Sequence, residues 1–188
     1  NVPPVAVHYM ELQEKTNDLV LGTHGRGVII IDDISPLREI NEKNLDEKLY
    51  FFSNDEFIIQ EYGGFSDSFG RETQFFGANS SLSCEIQYLL PKRHTFGKMT
   101  MEIQDMEGNK ITTLTPGKSK GINTVSWDYN MRVPKIAKAK TLSFGGFTSP
   151  TVPAGKYKVV IKKGRDTFEK IINVSYKNNA GLSSDDRE

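Results

Sequence analysis

The sequence predicts an all-β fold, and three observations point to it. Apolar and polar side chains alternate in several short segments, most regularly over 82–90, which is the two-residue period of a strand with one buried face. Turn residues separate these segments at the short spacing that is typical of sandwiches and barrels. No segment has a convincing amphipathic helix pattern. We therefore expect short strands packed around one core.

The same alternation predicts the remaining strands of the second half of the chain. Trp127, the only tryptophan, lies on one face of such a segment with Val125, and we expect it to fill the space between two sheets. The turns Glu107-Gly108-Asn109 and Lys163-Gly164-Arg165-Asp166 predict two hairpins. The strands are expected at 99–103, 110–114, 121–127, 157–161 and 168–174.

The segments between the strands are expected to be irregular, with one exception. A short helix is predicted over 36–47, where Ser35 would cap it and Pro36 would take its first position. Residues 53–80 mix glycine with aromatic side chains, which favours an ordered loop lying on a surface. A second irregular stretch, 132–153, carries Lys135, Lys138 and Lys140, and we interpret these as a solvated face.

Composition limits the classes of function. The chain has 188 residues, of which 37% are hydrophobic, and its 24 basic residues balance its 24 acidic ones. This neutral balance does not favour nucleic acid, and no apolar run reaches the roughly 20 residues of a membrane helix. The single Cys84 rules out an intramolecular disulfide and a multi-cysteine zinc site, and we expect it to be a core thiol. His8, His24 and His94 are too scattered to predict a metal site, and no cofactor is expected.

The first forty residues carry the most specific pattern in the chain. Val7-His8 opens a predicted strand, 17–22 forms the next, and the turn Thr23-His24-Gly25-Arg26-Gly27 leads into a third at 28–34, followed by Ser35-Pro36-Leu37-Arg38. This phrase resembles the closing blade of the sortilin-like, neuraminidase-repeat (BNR-type) β-propellers of large bacterial exported proteins. The resemblance implies that earlier blades precede Asn1, which is neither an initiator methionine nor the start of a signal peptide.

The second half resembles the same family's C-terminal tail more loosely. The segments 101–105 and 121–128, and the step Pro153-Ala154-Gly155-Lys156-Tyr157, are similar to an immunoglobulin-like domain of the flagellar hook-capping type. Pro153 and Gly155 can form a corner that delivers Tyr157 into the core. The expected fold is thus all-β, with partial propeller-blade strands followed by an immunoglobulin-like sandwich. Its expected parts are a blade remnant at 1–35, a connector with a short helix and a Gly/aromatic loop at 36–78, the sandwich at 79–176 and a polar tail at 177–188.

Two clusters near the N-terminus have the residue types of a binding or catalytic site. Gly22, Gly25 and Gly27 could cradle a phosphate, but that geometry needs a helix directly afterwards, and a strand is predicted there. We interpret them as a tight turn, from which His24 and Arg26 could still touch a ligand. Asp32 and Asp33 are adjacent on a strand and so point to opposite faces, which argues against the converging carboxylates of a glycoside hydrolase.

Aromatic side chains at 62–76 form the third cluster. Tyr62 and Phe65 could form a platform for sugar stacking, although we expect these aromatics to seal the sandwich against the blade strands.

The resemblance implies a non-catalytic structural or interaction module of an exported propeller protein, located in the periplasm, on the cell surface or outside the cell. Its first partner would be the upstream blades, with a glycan or a protein as further partners. Two alternatives stay open: an accessory part of a glycoside hydrolase-like enzyme whose catalytic residues lie upstream, and a carbohydrate-binding sandwich.

Overall fold

The computed structural model describes residues 3–59, 83–132 and 149–176. Within these ranges the chain forms eleven strands and two short helices, so the prediction of an all-β protein is confirmed. Three strands make one small sheet, and the other eight form two sheets that share a core. Leu82, Tyr62, Phe65, the lysines at 135–140 and the tail at 177–188 lie outside the described residues.

The first sheet is an antiparallel meander built by consecutive strands. It consists of β1 (Val7–Gln13), β2 (Asp18–Thr23) and β3 (Val28–Ile31), in that order across the sheet. β1 and β2 follow the predicted segments closely, whereas β3 ends at Ile31 instead of residue 34, and Asp33 has a φ angle of +40° that does not continue a strand.

Two short helices, rather than one, follow the first sheet. They are α1 (Ser35–Glu39) and α2 (Glu42–Asp46). Asn41 interrupts the helical path with an extended backbone, and its Oδ1 accepts the Asn44 amide at 3.0 Å, which caps the second helix. The predicted cap at Ser35 is wrong, since Ile34 occupies the N-cap position of α1 and no side chain caps that helix.

The remaining strands form two sheets that face each other. The first has β4 (Tyr50–Phe51), β6 (Cys84–Leu90) and β9 (Gly121–Trp127), in that order. The second has the order β5 (Glu56–Ile59), β11 (Asp166–Tyr176), β10 (Gly155–Lys163), β7 (Met99–Gln104) and β8 (Lys110–Leu114). The pair β5–β11 is parallel, and the other pairs are antiparallel.

Residues expected in the connector supply two of these strands. β4 joins β6 through the pairs Tyr50 with Leu89 and Phe51 with Tyr88. β5 joins β11 along four residues, beginning with Glu56 beside Asn173. Neither strand is predicted from the sequence, because two and four residues are too few to display an alternation.

One hydrophobic core lies between these two sheets. Trp127 is 2% exposed, its Nε1 donates to the Asn130 carbonyl at 3.1 Å, and its ring meets Tyr157 edge-on at 5.8 Å. Its predicted place between the sheets is therefore confirmed, as is the burial of Tyr157. Cys84 is fully buried, as expected of a core thiol. The other fully buried side chains are those of Phe52, Tyr88, Leu90, Met101, Ile103, Val152, Val159, Ile161, Ile172 and Val174.

Candidate functional site

The first sheet exposes apolar side chains on one of its faces. The register forms two cross-strand rows on this face, Tyr9–Gly22–Val28 and Glu11–Val20–Ile30. Tyr9, Val28 and Ile30 are 63%, 65% and 58% exposed. We call this surface, formed by Tyr9, Glu11, Val20, Val28 and Ile30, the Tyr9 face.

The opposite face of the same sheet is also apolar. Its two cross-strand rows are Met10–Leu21–Ile29 and Leu12–Leu19–Ile31. Leu21 is buried at 6% exposure, whereas Met10 at the edge is 62% exposed. A strand that is buried on one face only alternates apolar with polar residues, while one covered on both faces is apolar throughout. The apolar runs of β2 and β3 are thus typical of strands covered on both sides, whereas the edge strand β1 also carries polar residues.

The glycine-rich segment after β2 is a tight turn. Gly25 and Gly27 have φ angles of +79° and +69°, a region that side chains with a Cβ rarely enter. The Thr23 amide and hydroxyl both donate to the Gly27 carbonyl, at 3.0 and 2.7 Å. β3 follows directly, so the helix N-terminus that a phosphate cradle requires is missing from this turn.

The turn brings His24 next to His8, which the sequence analysis did not anticipate. Their rings stack at a centroid distance of 5.2 Å with 21° between their planes, on the exposed edge of the sheet. The His24 amide donates to the Ala6 carbonyl at 3.0 Å and fixes this pairing. Arg26 is exposed at the tip of the turn. Across the described ranges, no three His, Cys, Asp or Glu side chains come together as metal ligands.

Asp32 and Asp33 are predicted on a strand, but β3 ends at Ile31 and Asp33 has a φ angle of +40°, so that placement is wrong. Asp33 Oδ1 accepts the Ser35 amide at 3.0 Å, and the Asp33 amide donates to Asp18 Oδ1 at 2.9 Å. The Thr16 hydroxyl, together with that Asp33 amide, lowers the pKa of Asp18. The carboxylates of Asp18 and Asp33 therefore stabilise the segment that follows β3, which is a structural role.

A cleft of about 540 Å³ lies between the first sheet and the two-sheet body. Its polar groups bond to one another across the cleft mouth: Asn17 Nδ2 donates to Ser35 Oγ at 2.5 Å. Glu39 Oε2 accepts the Tyr50 hydroxyl at 3.1 Å and the Ser53 amide at 3.0 Å. The cleft residues thus brace the helices against the 50–53 segment.

The thiol of Cys84 and the amine of Lys170 are removed from solvent, and neither is placed for catalysis. Burial raises the pKa of the Cys84 thiol to about 12, so the nucleophilic thiolate is suppressed. Burial lowers the pKa of Lys170, whose Nζ donates to the carbonyls of Phe52, at 2.5 Å, and of Asn54. Lys170 therefore ties the loop before β5 to β11.

No family model matches the sequence, and searches of curated proteins and of solved structures found no significant match.

The function must accordingly be inferred from the surfaces themselves. The part of the chain that the structure describes has no helix of the length and apolar character needed to cross a bilayer. The four residues predicted as contacts divide into two groups: His24 and Arg26 lie exposed in the turn between β2 and β3, and Tyr62 and Phe65 lie outside the described residues. The most distinctive feature is the sheet that is apolar on both faces.

Proposed function

We propose that this chain is a non-catalytic structural module of an exported β-propeller protein, in which the first sheet belongs to a propeller blade. The observation that carries the proposal is the pair of apolar faces on that sheet. Blades of a propeller stack face to face around a central channel, so an inner blade strand is covered on both sides. Upstream blades of the same protein are the partner that fits the Tyr9 face.

The topology of the two-sheet body supports an immunoglobulin-like assignment for the rest of the module. The sheet order β5-β11-β10-β7-β8, with β5 parallel to the last strand, matches the sheet that contains strands A′, G, F, C and C′ in such domains. The sheet β4-β6-β9 matches strands A, B and E.

A side-chain contact supports the same assignment. The hydroxyl of Tyr157, near the start of β10, donates to the Pro153 carbonyl at 2.5 Å. A tyrosine at the start of strand F that bonds a few residues back is the tyrosine corner of immunoglobulin-like sandwiches. The position of the tryptophan differs from that in antibody domains. Their buried tryptophan lies on strand C, whereas Trp127 lies on β9, which corresponds to strand E.

The carboxylate of Glu39 gives the module its bracing role. It bonds to Tyr50 and Ser53 at the edge of the two-sheet body and belongs to a helix that directly follows the first sheet. The sandwich would in this way hold the last blade in place, at a location outside the cytoplasm.

The experiment compares two isoleucine substitutions. Ile30→Lys lies on the Tyr9 face, and Ile171→Lys is a matched control on the outer face of β11, where the side chain is 50% exposed. In the natural full-length protein, Ile30→Lys should cost roughly 3 kcal/mol of unfolding free energy, because it buries an unpaired charge, while the control should change little. If the two substitutions lowered the unfolding free energy equally, the proposal that another blade covers the Tyr9 face would be refuted.

The absence of catalysis is tested separately. The purified chain should not hydrolyse glycosides, and any glycan turnover that co-purifies with it and is lost on mutation of Asp32 and Asp33 would contradict the proposal.

A further inference from the structure

Three connections of the two-sheet body meet at one end of it. These are 91–98 between β6 and β7, 115–120 between β8 and β9, and the turn 163–166, which includes the last residue of β10 and the first residue of β11. The His94 amide donates to the Lys118 carbonyl at 3.0 Å, and the Gly164 amide donates to the Lys98 carbonyl at 3.3 Å. Backbone hydrogen bonds thus join all three connections into one surface, which we call the basic end.

The charge of this surface differs sharply from that of the whole chain. Its 18 residues hold seven of the 24 Lys and Arg residues but only one of the 24 acidic ones, Asp166. Asp166 is already paired with Lys48 Nζ at 2.8 Å. The seven cations therefore have no acidic counterpart within the three connections: Lys92, Arg93, Lys98, Lys118, Lys120, Lys163 and Arg165.

Buried side chains hold these connections in place. Asn123 is 7% exposed, and its amide group bonds to both the amide and the carbonyl of Ser119, at 3.1 and 2.8 Å. The Tyr88 hydroxyl donates to the Gly117 carbonyl at 2.6 Å. Lys163 Nζ donates to the Lys48 carbonyl at 2.8 Å, so this cation also anchors the neighbouring segment. The cations are thus displayed on an ordered scaffold.

An exposed phenylalanine stands among these cations. Phe96 is 88% exposed, the highest value among the exposed large hydrophobic side chains of the described residues. His94 Nε2 lies 3.2 Å from the Gly97 carbonyl and closes the turn that carries Phe96. Arg93 and Lys98 flank this turn and are exposed as well.

We infer that the basic end docks onto the surface of a bilayer that contains anionic phospholipids. Lys and Arg side chains are attracted to anionic head groups, and an aromatic ring at a loop tip favours the boundary between head groups and acyl chains. Protein sites for single-stranded nucleic acid also combine cations with aromatic rings. Those sites, however, are grooves that follow the nucleic-acid backbone. Here the Phe96 ring protrudes from a turn, and a protruding ring suits contact with a broad surface such as a bilayer.

Vesicle co-sedimentation tests this inference on the whole chain. Mixed phosphatidylglycerol–phosphatidylcholine vesicles should bind the protein, and vesicles of phosphatidylcholine alone should not. The double variant Arg93→Gln/Lys118→Gln should lower the partition coefficient for the vesicles about 25-fold, because each lost cation lowers it about fivefold. Phe96→Ala should weaken it about tenfold, because the apolar contact is lost. The exposed pair Lys15→Gln and Lys110→Gln, outside the basic end, is the matched control and should bind like the wild type.

A fluorescence measurement distinguishes insertion from adsorption. Trp127 is buried, so brominated lipid should leave its emission unchanged, whereas a Phe96→Trp variant should be quenched on mixed vesicles. Three results would overturn the inference: no binding to anionic vesicles at low salt, equal loss in the Lys15/Lys110 control, or an unquenched Phe96→Trp variant. Tight binding of single-stranded DNA that Phe96→Ala leaves unchanged, without vesicle binding, would identify the surface as a polyanion site instead.

Discussion

Alkaline pH should destabilise this protein through its buried tyrosines. Burial raises the pKa of Tyr88 and of Tyr129 from 10.0 to about 12. A folded-state pKa above the unfolded value means that the unfolded chain loses its proton first. The stability that these phenols contribute is therefore complete below about pH 10 and is lost as the pH rises towards about pH 12.

The size of the effect follows from the environment of each hydroxyl. A shift of about two pKa units corresponds to at most about 2.7 kcal/mol for each residue. Both tyrosines are buried, but the Tyr88 hydroxyl donates to the carbonyl of half-buried Gly117, and the Tyr129 hydroxyl lies 3.5 Å from the carbonyl of exposed Ile58. Screening there roughly halves the effect, which leaves about 1.3 kcal/mol for each tyrosine. We expect a combined loss of about 2 to 3 kcal/mol between about pH 8 and about pH 12.

Lys170 acts in the opposite direction at the lower end of this range, below the ordinary lysine pKa of 10.5. Its pKa is lowered by burial, so the folded chain releases this proton first, and the stability rises with pH as it does so. The net slope is therefore the tyrosine contribution reduced by the lysine contribution. A Lys170→Met variant should show a steeper alkaline loss than the wild type.

Urea unfolding at a series of pH values, followed by circular dichroism, measures this slope. Tyr88→Phe should remove about half of the alkaline loss, while Tyr9→Phe should remove much less, because Tyr9 is 63% exposed. A wild-type unfolding free energy that stays constant to about pH 12 would refute the reasoning, as would an unchanged slope in Tyr88→Phe.

Two further substitutions test how the connections and the cleft are held. Gly117→Ala should lower the free energy of unfolding in urea by about 1 to 3 kcal/mol, because the added Cβ would lie 2.5 Å from Oδ1 of the buried Asn123. An unchanged free energy of unfolding would show that the loop can shift to accommodate the methyl group. Glu39→Gln keeps an acceptor oxygen but removes the charge, so we expect a cost of about 1 kcal/mol or less and faster hydrogen exchange at the Ser53 amide. Unchanged exchange at Ser53 would contradict the bracing role of Glu39.

The strands of the core could be predicted from the sequence because their signal is local. Burial alternates along the whole of β9 and along the first five residues of β6, and that alternation is the imprint of one buried face. β4 and β5 carry no such imprint, since each exists only through pairing with a strand far along the chain. The break between the two helices depends on one side chain, Asn41, whose bond to Asn44 competes with a continuous helix.

The surfaces were harder to predict, because distant segments build them. His8 and His24 appear scattered in the sequence, yet the pairing of β1 with β2 and the backbone bond from His24 to Ala6 bring their rings to 5.2 Å. The basic end combines three connections that are separated by whole strands. The whole chain has equal numbers of basic and acidic residues, so its composition does not reveal the positive charge of the basic end. A neutral composition does not establish that every face is neutral.

The two proposed surfaces share no residue, and this independence allows each to be tested without the other. The Tyr9 face is apolar and contains one charged side chain, Glu11, so hydrophobic burial against another sheet is the interaction that it favours. The basic end is charged and carries one apolar ring, so its attraction is long-ranged and sensitive to salt. Ile30→Lys should therefore leave vesicle binding intact, and Phe96→Ala should leave the packing of the first sheet intact. If either substitution abolished both properties, the two surfaces would be one site, and a module that links a propeller to a bilayer would be the wrong description.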